Sequence, residues 1–484
     1  MASPIEIETE HPVLIQGGMG VAVSDWRLAK AVSSEGQLGV VSGTALDAVL
    51  VRRLQLGDIG GHVRRALAAF PIPGVVAGIL KRYFIEGGKA VAARFKQKPM
   101  GKLRPSRRLQ DLLVVANFVE VWLAREGHDN PVGINYLEKI QAPTLPSLYG
   151  AMLAGVRYVL IGAGIPRAIP GILDRLAEGL PVEMKVDVKD ATSEDDPYVR
   201  FDPAEYSNGD LPPVRRPSFL AIVSSHVLAT MLTRKVESKV DGFVVESPSA
   251  GGHNAPPRSK AGLSPEGEPI YGEKDVPDLA VFRELGRPFW MAGGYARPEQ
   301  VKYALGEGAA GVQVGTAFAY CEESGLAADI KAQVLEESRQ HRAKVFTDPR
   351  ASPTGFPVKV VRLSGTLSEP DVYEERDRIC DLGYLRTAFV GEDGRQGWRC
   401  PAEPVDDYIA KGGDPADTVG RKCLCNSLMA NVGLGQIKRD GSAEPIVVTS
   451  GDDVTDVARF LDEGASSYSA KDVIDYLLSD MATA

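Results

Sequence analysis

The sequence predicts an α/β protein built on a (β/α)8 TIM barrel, with a helical insertion after the second strand and an α-rich C-terminal extension. Three observations carry this. Short apolar runs ending in small residues alternate with helical patterns over the first 327 residues. Two of those runs, residues 288–294 and 311–316, end in glycine turns and are separated by a helix-like stretch at 298–308. A histidine, His253, directly follows a Gly-Gly turn at the end of another run. That strand end is where barrel active sites are built.

Strands are expected to begin near Val13, Leu38, Pro131, Arg157, Phe219, Val240, Pro288 and Gly311. The first run, Pro12-Val13-Leu14-Ile15-Gln16, enters the turn Gly17-Gly18-Met19-Gly20, and Ser24-Asp25 offers N-cap chemistry for a helix over 26–34. Two insertions interrupt the spacing, at about 52–130 and 182–216. The first reads as mostly helical. It contains a basic stretch at 89–108 that is either a solvated face or a docking patch for an anionic carrier or CoA thioester. The second begins with an alternating segment at 182–188 and predicts a surface hairpin. The glycines of Ile161-Gly162-Ala163-Gly164 imitate half a dinucleotide fingerprint, but the third glycine and a second βαβ unit are missing. They read as the turn after the fourth strand.

The two late glycine turns occupy the position of a phosphate cradle, formed in barrels by the loops after strands 7 and 8. Backbone N–H groups approach phosphate oxygens only where no Cβ intervenes. The loop at 254–277 should cover the mouth as a lid, with Arg258 placed to anchor an anionic group.

Taken in order, Gln16-Gly17-Gly18-Met19-Gly20, Gly133-Ile134-Asn135, Ala250-Gly251-Gly252-His253, Ala292-Gly293-Gly294 and Gly311-Val312-Gln313-Val314-Gly315-Thr316 resemble the FMN-dependent nitronate monooxygenase (2-nitropropane dioxygenase-like) superfamily. That superfamily also holds the flavin-dependent enoyl-acyl carrier protein reductases. The resemblance runs from about residue 10 to residue 325 and implies FMN held across the barrel mouth. It places Met19 by the isoalloxazine, Asn135 bonded to the flavin and Gly251 along the ring, with Gly18 and Glu246 also among the cofactor-binding residues. Gly293, Gly294, Gln313, Val314, Gly315 and Thr316 fall on the phosphate side, and His253 becomes the catalytic residue. Glu246 stands where nitronate monooxygenases commonly carry Gln and the reductases Glu. The opening Gln-Gly-Gly-Met leans the same way as Glu246.

The expected activity is oxidation of a small carbon acid of the nitronate type with O2. The alternative is reduction of a carrier- or CoA-bound enoyl thioester with NAD(P)H, and a flavin-binding scaffold without turnover is a third reading. His253, titrating near neutrality, would stabilise an anion or take a proton. A net charge of −9 argues against nucleic acid as a partner. No run of about 18 apolar residues points to a membrane span, and residues 1–6 carry no signal pattern, so a cytoplasmic protein is expected. Association into a homo-oligomer is left open.

The expected division is a flavin-binding barrel over 1–327 and an extension over 328–484, opening with a helix at 328–344. The extension holds Cys380, Cys400, Cys423 and Cys425. Packing thiols, a metal or iron–sulfur site, and redox-linked thiols are the alternatives. The reading leans to packing, with no metal ligand assigned, because only Cys423 and Cys425 are close in sequence and no histidine lies between Cys380 and Cys425.

Overall fold

The computed structural model describes residues 11–192, 194–234, 239–259 and 262–481. The reading of residues 1–6 lies outside them. Eight parallel strands close into a barrel: β1 (Leu14–Gln16), β2 (Leu38–Ser42), β3 (Val132–Leu137), β4 (Tyr158–Gly162), β5 (Ser218–Val223), β6 (Gly242–Glu246), β7 (Phe289–Ala292) and β8 (Gly311–Val314). Each pairs with its sequence neighbours, and β1 closes on β8 with Leu14 opposite Val312 and Gln16 opposite Val314. Both faces of these strands are covered, which is why they read as continuous apolar runs. The inward set includes Ile15, Val40, Leu160, Leu220, Val244 and Trp290. Trp290 satisfies its one polar atom by donating Nε1–H to Pro12 O at 2.8 Å.

Helix α1 (Trp26–Ser34) forms where its cap predicts, with the Asp25 carboxylate accepting from Arg27 and Leu28 N–H. Helix α2 (Leu46–Gln55) leads into the first insertion, which supplies α3 (His62–Ala68), α4 (Val75–Tyr83) and the long α5 (Arg107–Arg125). Helices α1, α2 and α5 are joined by a buried ionic triad. Arg53 Nη2 lies 3.0 Å from Asp25 and Nη1 lies 2.9 Å from Glu120, while Trp26 N–H donates to Glu120 at 3.0 Å. Burial pushes the Glu120 carboxyl up, and Arg53 opposes that shift.

The basic stretch is not a free patch. Lys98 is buried and pairs with Asp47 at 2.7 Å; Lys89 and Lys96 donate to main-chain carbonyls, and Arg94 does so to Ile437 of the extension. In the second insertion, Val182–Lys185 and Tyr198–Phe201 form the expected antiparallel hairpin.

The C-terminal residues wrap the barrel mouth. The helix expected at 328–344 spans Ala328–Arg339; His341 adopts a left-handed φ of 55°, and a strand starts at Val345. Val345–Asp348 pairs antiparallel with Val358–Val361. Thr387–Val390 pairs with both Gln396–Arg399 and Val188–Lys189 of the second insertion. The extension thus carries ladders as well as helices, and Val361, Leu363, Leu382, Met429 and Val454 share one core cluster with the barrel. Among the described residues, no helix is long and apolar enough to cross a membrane.

Arg53→Met would leave Glu120 buried without its counter-charge and Asp25 with only the half-exposed Arg27; breaking a buried pair typically costs about 3–5 kcal/mol. Chemical denaturation should show that loss near neutral pH. The deficit should narrow as pH is lowered, because a protonated Glu120 no longer needs the guanidinium. A deficit unchanged with pH would contradict the triad's role.

Candidate active site

The C-terminal ends of the eight strands and the extension enclose one cavity of about 260 Å3. All twelve residues expected at the site line it: Gly18 and Met19 after β1, Asn135 on β3, Glu246 at the end of β6, Gly251 and His253 beyond it, Gly293 and Gly294 after β7, and Gln313, Val314, Gly315 and Thr316 at the end of β8.

The β1 turn is pinned from beneath. Gln16, wholly buried, donates Nε2–H to Ser24 Oγ at 2.8 Å and accepts Val40 N–H at 3.1 Å. Ser24 Oγ in turn accepts the Met19 N–H at 2.9 Å. Gly18 must lack a side chain, since a Cβ there would lie 2.1 Å from Asn135 Oδ1. Asn135 Oδ1 and Gln313 Oε1 are buried without any hydrogen-bond partner. Buried amides are rarely left so, and both belong to residues that line the cavity.

Across the cavity, Gly293 has a left-handed φ of 83°, and a Cβ there would stand 2.4 Å from Ser247 Oγ. Ser247 and Ser249 hydroxyls are 2.7 Å apart, and Ser247 donates to Gly293 O at 3.1 Å. This small-residue cradle opens next to Thr316.

The two titratable groups are set by burial. Desolvation raises the Glu246 carboxyl to about 7 and lowers His253 to about 4. His253 is therefore a neutral imidazole near neutral pH, and the expectation of a histidine titrating there is corrected by its dry surroundings. Its Nε2 lies 2.6 Å from Ser352 Oγ, which stands 2.8 Å from Thr354 Oγ1. Ser352 belongs to the extension, and His253 bridges to Val358 of the same segment.

Sequence reasoning missed this roof. Tyr384, Leu385, Leu424, Cys425, Asn431 and Gly451 all face the cavity from the extension. Gly451 N–H donates to Thr316 Oγ1 at 3.0 Å, and Asp452 N–H donates to Ser249 O at 3.1 Å. Arg459 ties the same segment to the β7 turn through Ala296 O at 2.7 Å. Tyr384 donates to Asp47 Oδ1 at 2.5 Å, so the buried Lys98–Asp47 pair supports the cavity wall. The only early signal was the turn chemistry of Ser352-Pro353-Thr354-Gly355, which says nothing about contact with a histidine far upstream.

Two expectations are corrected. The described residues of the loop at 254–277 do not line the cavity; the extension occupies the position expected of a lid. Arg258 is turned away from it as well. Its guanidinium donates to Lys274 O at 2.6 Å and to the main-chain oxygen of Ser224, so it is spent on holding its own loop.

Residues 211–353 match the family model described as nitronate monooxygenase. No curated protein matches the sequence. Among solved structures, FabK from Thermotoga maritima is 17% identical, with 98% of this chain and 94% of that one covered and a TM-score of 0.47. A nitroalkane oxidase from Streptomyces ansochromogenes is 15% identical, with coverage of 98% and 96% and a TM-score of 0.47. The enoyl reductase domain of MlnA from the macrolactin biosynthesis cluster of Bacillus amyloliquefaciens is 11% identical, with coverage of 98% and 96% and a TM-score of 0.45. The match to the nitronate monooxygenase model thus spans the stretch that carries β5 to β8, Glu246, His253 and the Gly293-Gly294 turn.

Proposed function

We propose that the chain is an FMN-dependent oxidoreductase that oxidises a small carbon acid of the nitronate type with O2. The observation that carries the reading is the pair of unpartnered amides, Asn135 and Gln313, lining the same cavity as the glycine cradle at the end of β7. A flavin ring carries the amide-like edge such groups would pair with, and a phosphate fits where Gly293 and Gly294 leave the main chain bare. The residues therefore fit the group. Gln313, expected with the phosphate, has its side chain by Gly17 and would hold the ring side with Gly18, Met19, Asn135 and Gly251, while Gly293, Gly294, Val314, Gly315 and Thr316 would hold the phosphate side. Bound there, flavin supplies an acceptor for the substrate's electrons and a route from them to O2.

The chain's own residues bind and position the substrate. His253, neutral and fixed through Nε2 by Ser352, can offer a hydrogen bond to an anion or take a proton as the anion's charge raises its basicity. Glu246, protonated below about 7, can donate to the same anion; above that pH it repels it. Tyr384, Leu385 and Leu424 roof part of the cavity and limit its contact with water, which strengthens each of these interactions.

Glu246 also supports a second reading, an enoyl-thioester reductase using NAD(P)H, because the reductases of this superfamily commonly carry Glu at that position. Tyr384 and Leu385 also border a second cavity, whose wall includes Lys139 and Arg386 beside the Lys98–Asp47 pair, and a longer substrate could extend towards it.

Purified protein should be yellow and release one FMN per chain on denaturation. Gly18→Ala should lose most of that flavin with its fold intact, since the new Cβ displaces Asn135. Full flavin occupancy in that variant would remove Asn135 from the site. His253→Ala should keep flavin and lose turnover by about 10²–10⁴-fold; wild-type rates would exclude it from the chemistry.

For an anionic nitronate, kcat/KM should fall as pH rises through about 7, where Glu246 ionises. Glu246→Gln should flatten that limb. A pH profile unchanged by the substitution would sink the assigned role.

A further inference from the structure

Residues 352–359 of the extension run alongside the turn that carries His253. Lys359 N–H donates to Gly252 O at 3.0 Å, Asn254 N–H donates to Pro357 O at 2.9 Å, and His253 itself bridges to Val358. The main chain on both sides of the ring is therefore fixed, and Nε2 meets Ser352 Oγ at 2.6 Å. Among the described residues no hydrogen bond reaches Nδ1, and His253 forms part of the chamber wall. One nitrogen is spent on the protein and the other is left for a ligand.

Which nitrogen carries the proton follows from counting hydrogens. Ser352 is fully buried, and its Oγ has one hydrogen and two lone pairs. One lone pair accepts the Thr354 N–H at 3.2 Å, the bond that closes this turn. What remains is shared between His253 Nε2 and Thr354 Oγ1, the latter at 2.8 Å. Thr354 Oγ1 already accepts the Phe356 N–H at 3.4 Å. If Nε2 donated to Ser352, the Ser352 hydrogen would pass to Thr354, whose own hydrogen would then have no acceptor among the described residues. If instead Thr354 donates to Ser352 and Ser352 donates to Nε2, every hydrogen is placed. Distance favours the same direction. A separation of 2.6 Å lies below the range of about 2.7–3.2 Å usual for an N–H donor to oxygen and inside the range of about 2.5–3.0 Å for a hydroxyl donor.

We propose that Ser352, oriented by Thr354, is a positioning residue that holds His253 as its Nδ1–H tautomer, so that the ring offers the substrate a hydrogen-bond donor and not a base. With Nε2 taken by a hydroxyl, the ring has no free lone pair to receive a proton from a neutral carbon acid. Nδ1–H suits a substrate that arrives already anionic. The tautomer stands on the contacts alone, whereas its consequence for the substrate rests on the nitronate reading.

Ring-nitrogen NMR of the full-length protein labelled with 15N-histidine tests the tautomer at neutral pH, independently of turnover. The nitrogen that lacks a proton resonates far downfield of the one that carries it, and couplings to the hydrogens on the ring carbons tell Nε2 from Nδ1. Six histidines are present, and the signals lost in His253→Ala identify the ring. The wild-type ring should be protonated at Nδ1 and bare at Nε2. Ser352→Ala should mix the two tautomers, and Ser352→Thr, which keeps the hydroxyl, should retain the wild-type pattern. With a nitronate, Ser352→Ala should raise KM by roughly two- to tenfold, set by the fraction of molecules left in the wrong tautomer, and change kcat less. A wild-type ring protonated at Nε2 would overturn the proposal even if no variant folds, and so would a Ser352→Ala ring unchanged from wild type. If nitronates prove inert while the tautomers behave as expected, the positioning role stands and the oxidation reading falls.

Discussion

Two backbones meet at the barrel mouth with no space for a side chain between them. A Cβ on Gly251 would stand 2.6 Å from Gly451 N, and one on Gly451 would stand 2.9 Å from Thr316 Oγ1. Through this contact the extension lies directly on the turns after β6 and β8. From it follow the Gly451–Thr316 hydrogen bond, the pairing of His253 with Val358 and the 2.6 Å contact of His253 with Ser352. The barrel supplies the ends of the strands, and the extension roofs part of the mouth.

Closure governs the electrostatics. Burial of the two groups among protein atoms disfavours their charged forms, so Glu246 rises to about 7 while His253 falls to about 4. Near neutral pH the histidine carries no charge and the carboxyl is poised between its two states. On the proposed reading, an anion would be received through hydrogen bonds and an accompanying proton, and not through a preformed positive charge.

Much of the barrel was legible because parallel strands buried on both faces leave continuous apolar runs. The expected starts near Leu38, Arg157 and Gly311 fall within one residue of the observed strands. The twelve residues expected at the site border one cavity; they were picked out by glycine turns at strand ends together with the family resemblance. What failed was long-range. Nothing local to Arg258 reveals that its guanidinium is taken up by Lys274 and Ser224 carbonyls. Lys98 reads as one more surface cation until Asp47 and Tyr384 are placed around it. The helix at 328 reads on past Arg339 because no glycine or proline marks its end, and His341 takes the left-handed turn instead. Ser352 and Tyr384 enter the site only through the path of the extension, which no local pattern encodes.

The central claim is that this chamber holds a flavin that takes electrons from a small carbon acid. Anaerobic mixing of the purified, flavin-loaded protein with a nitronate, and separately with NAD(P)H, while following flavin absorbance tests it most directly. The account predicts rapid bleaching with the nitronate, with colour restored on admitting O2. Bleaching by NAD(P)H with no response to any nitronate would contradict it and give the chamber to thioester reduction.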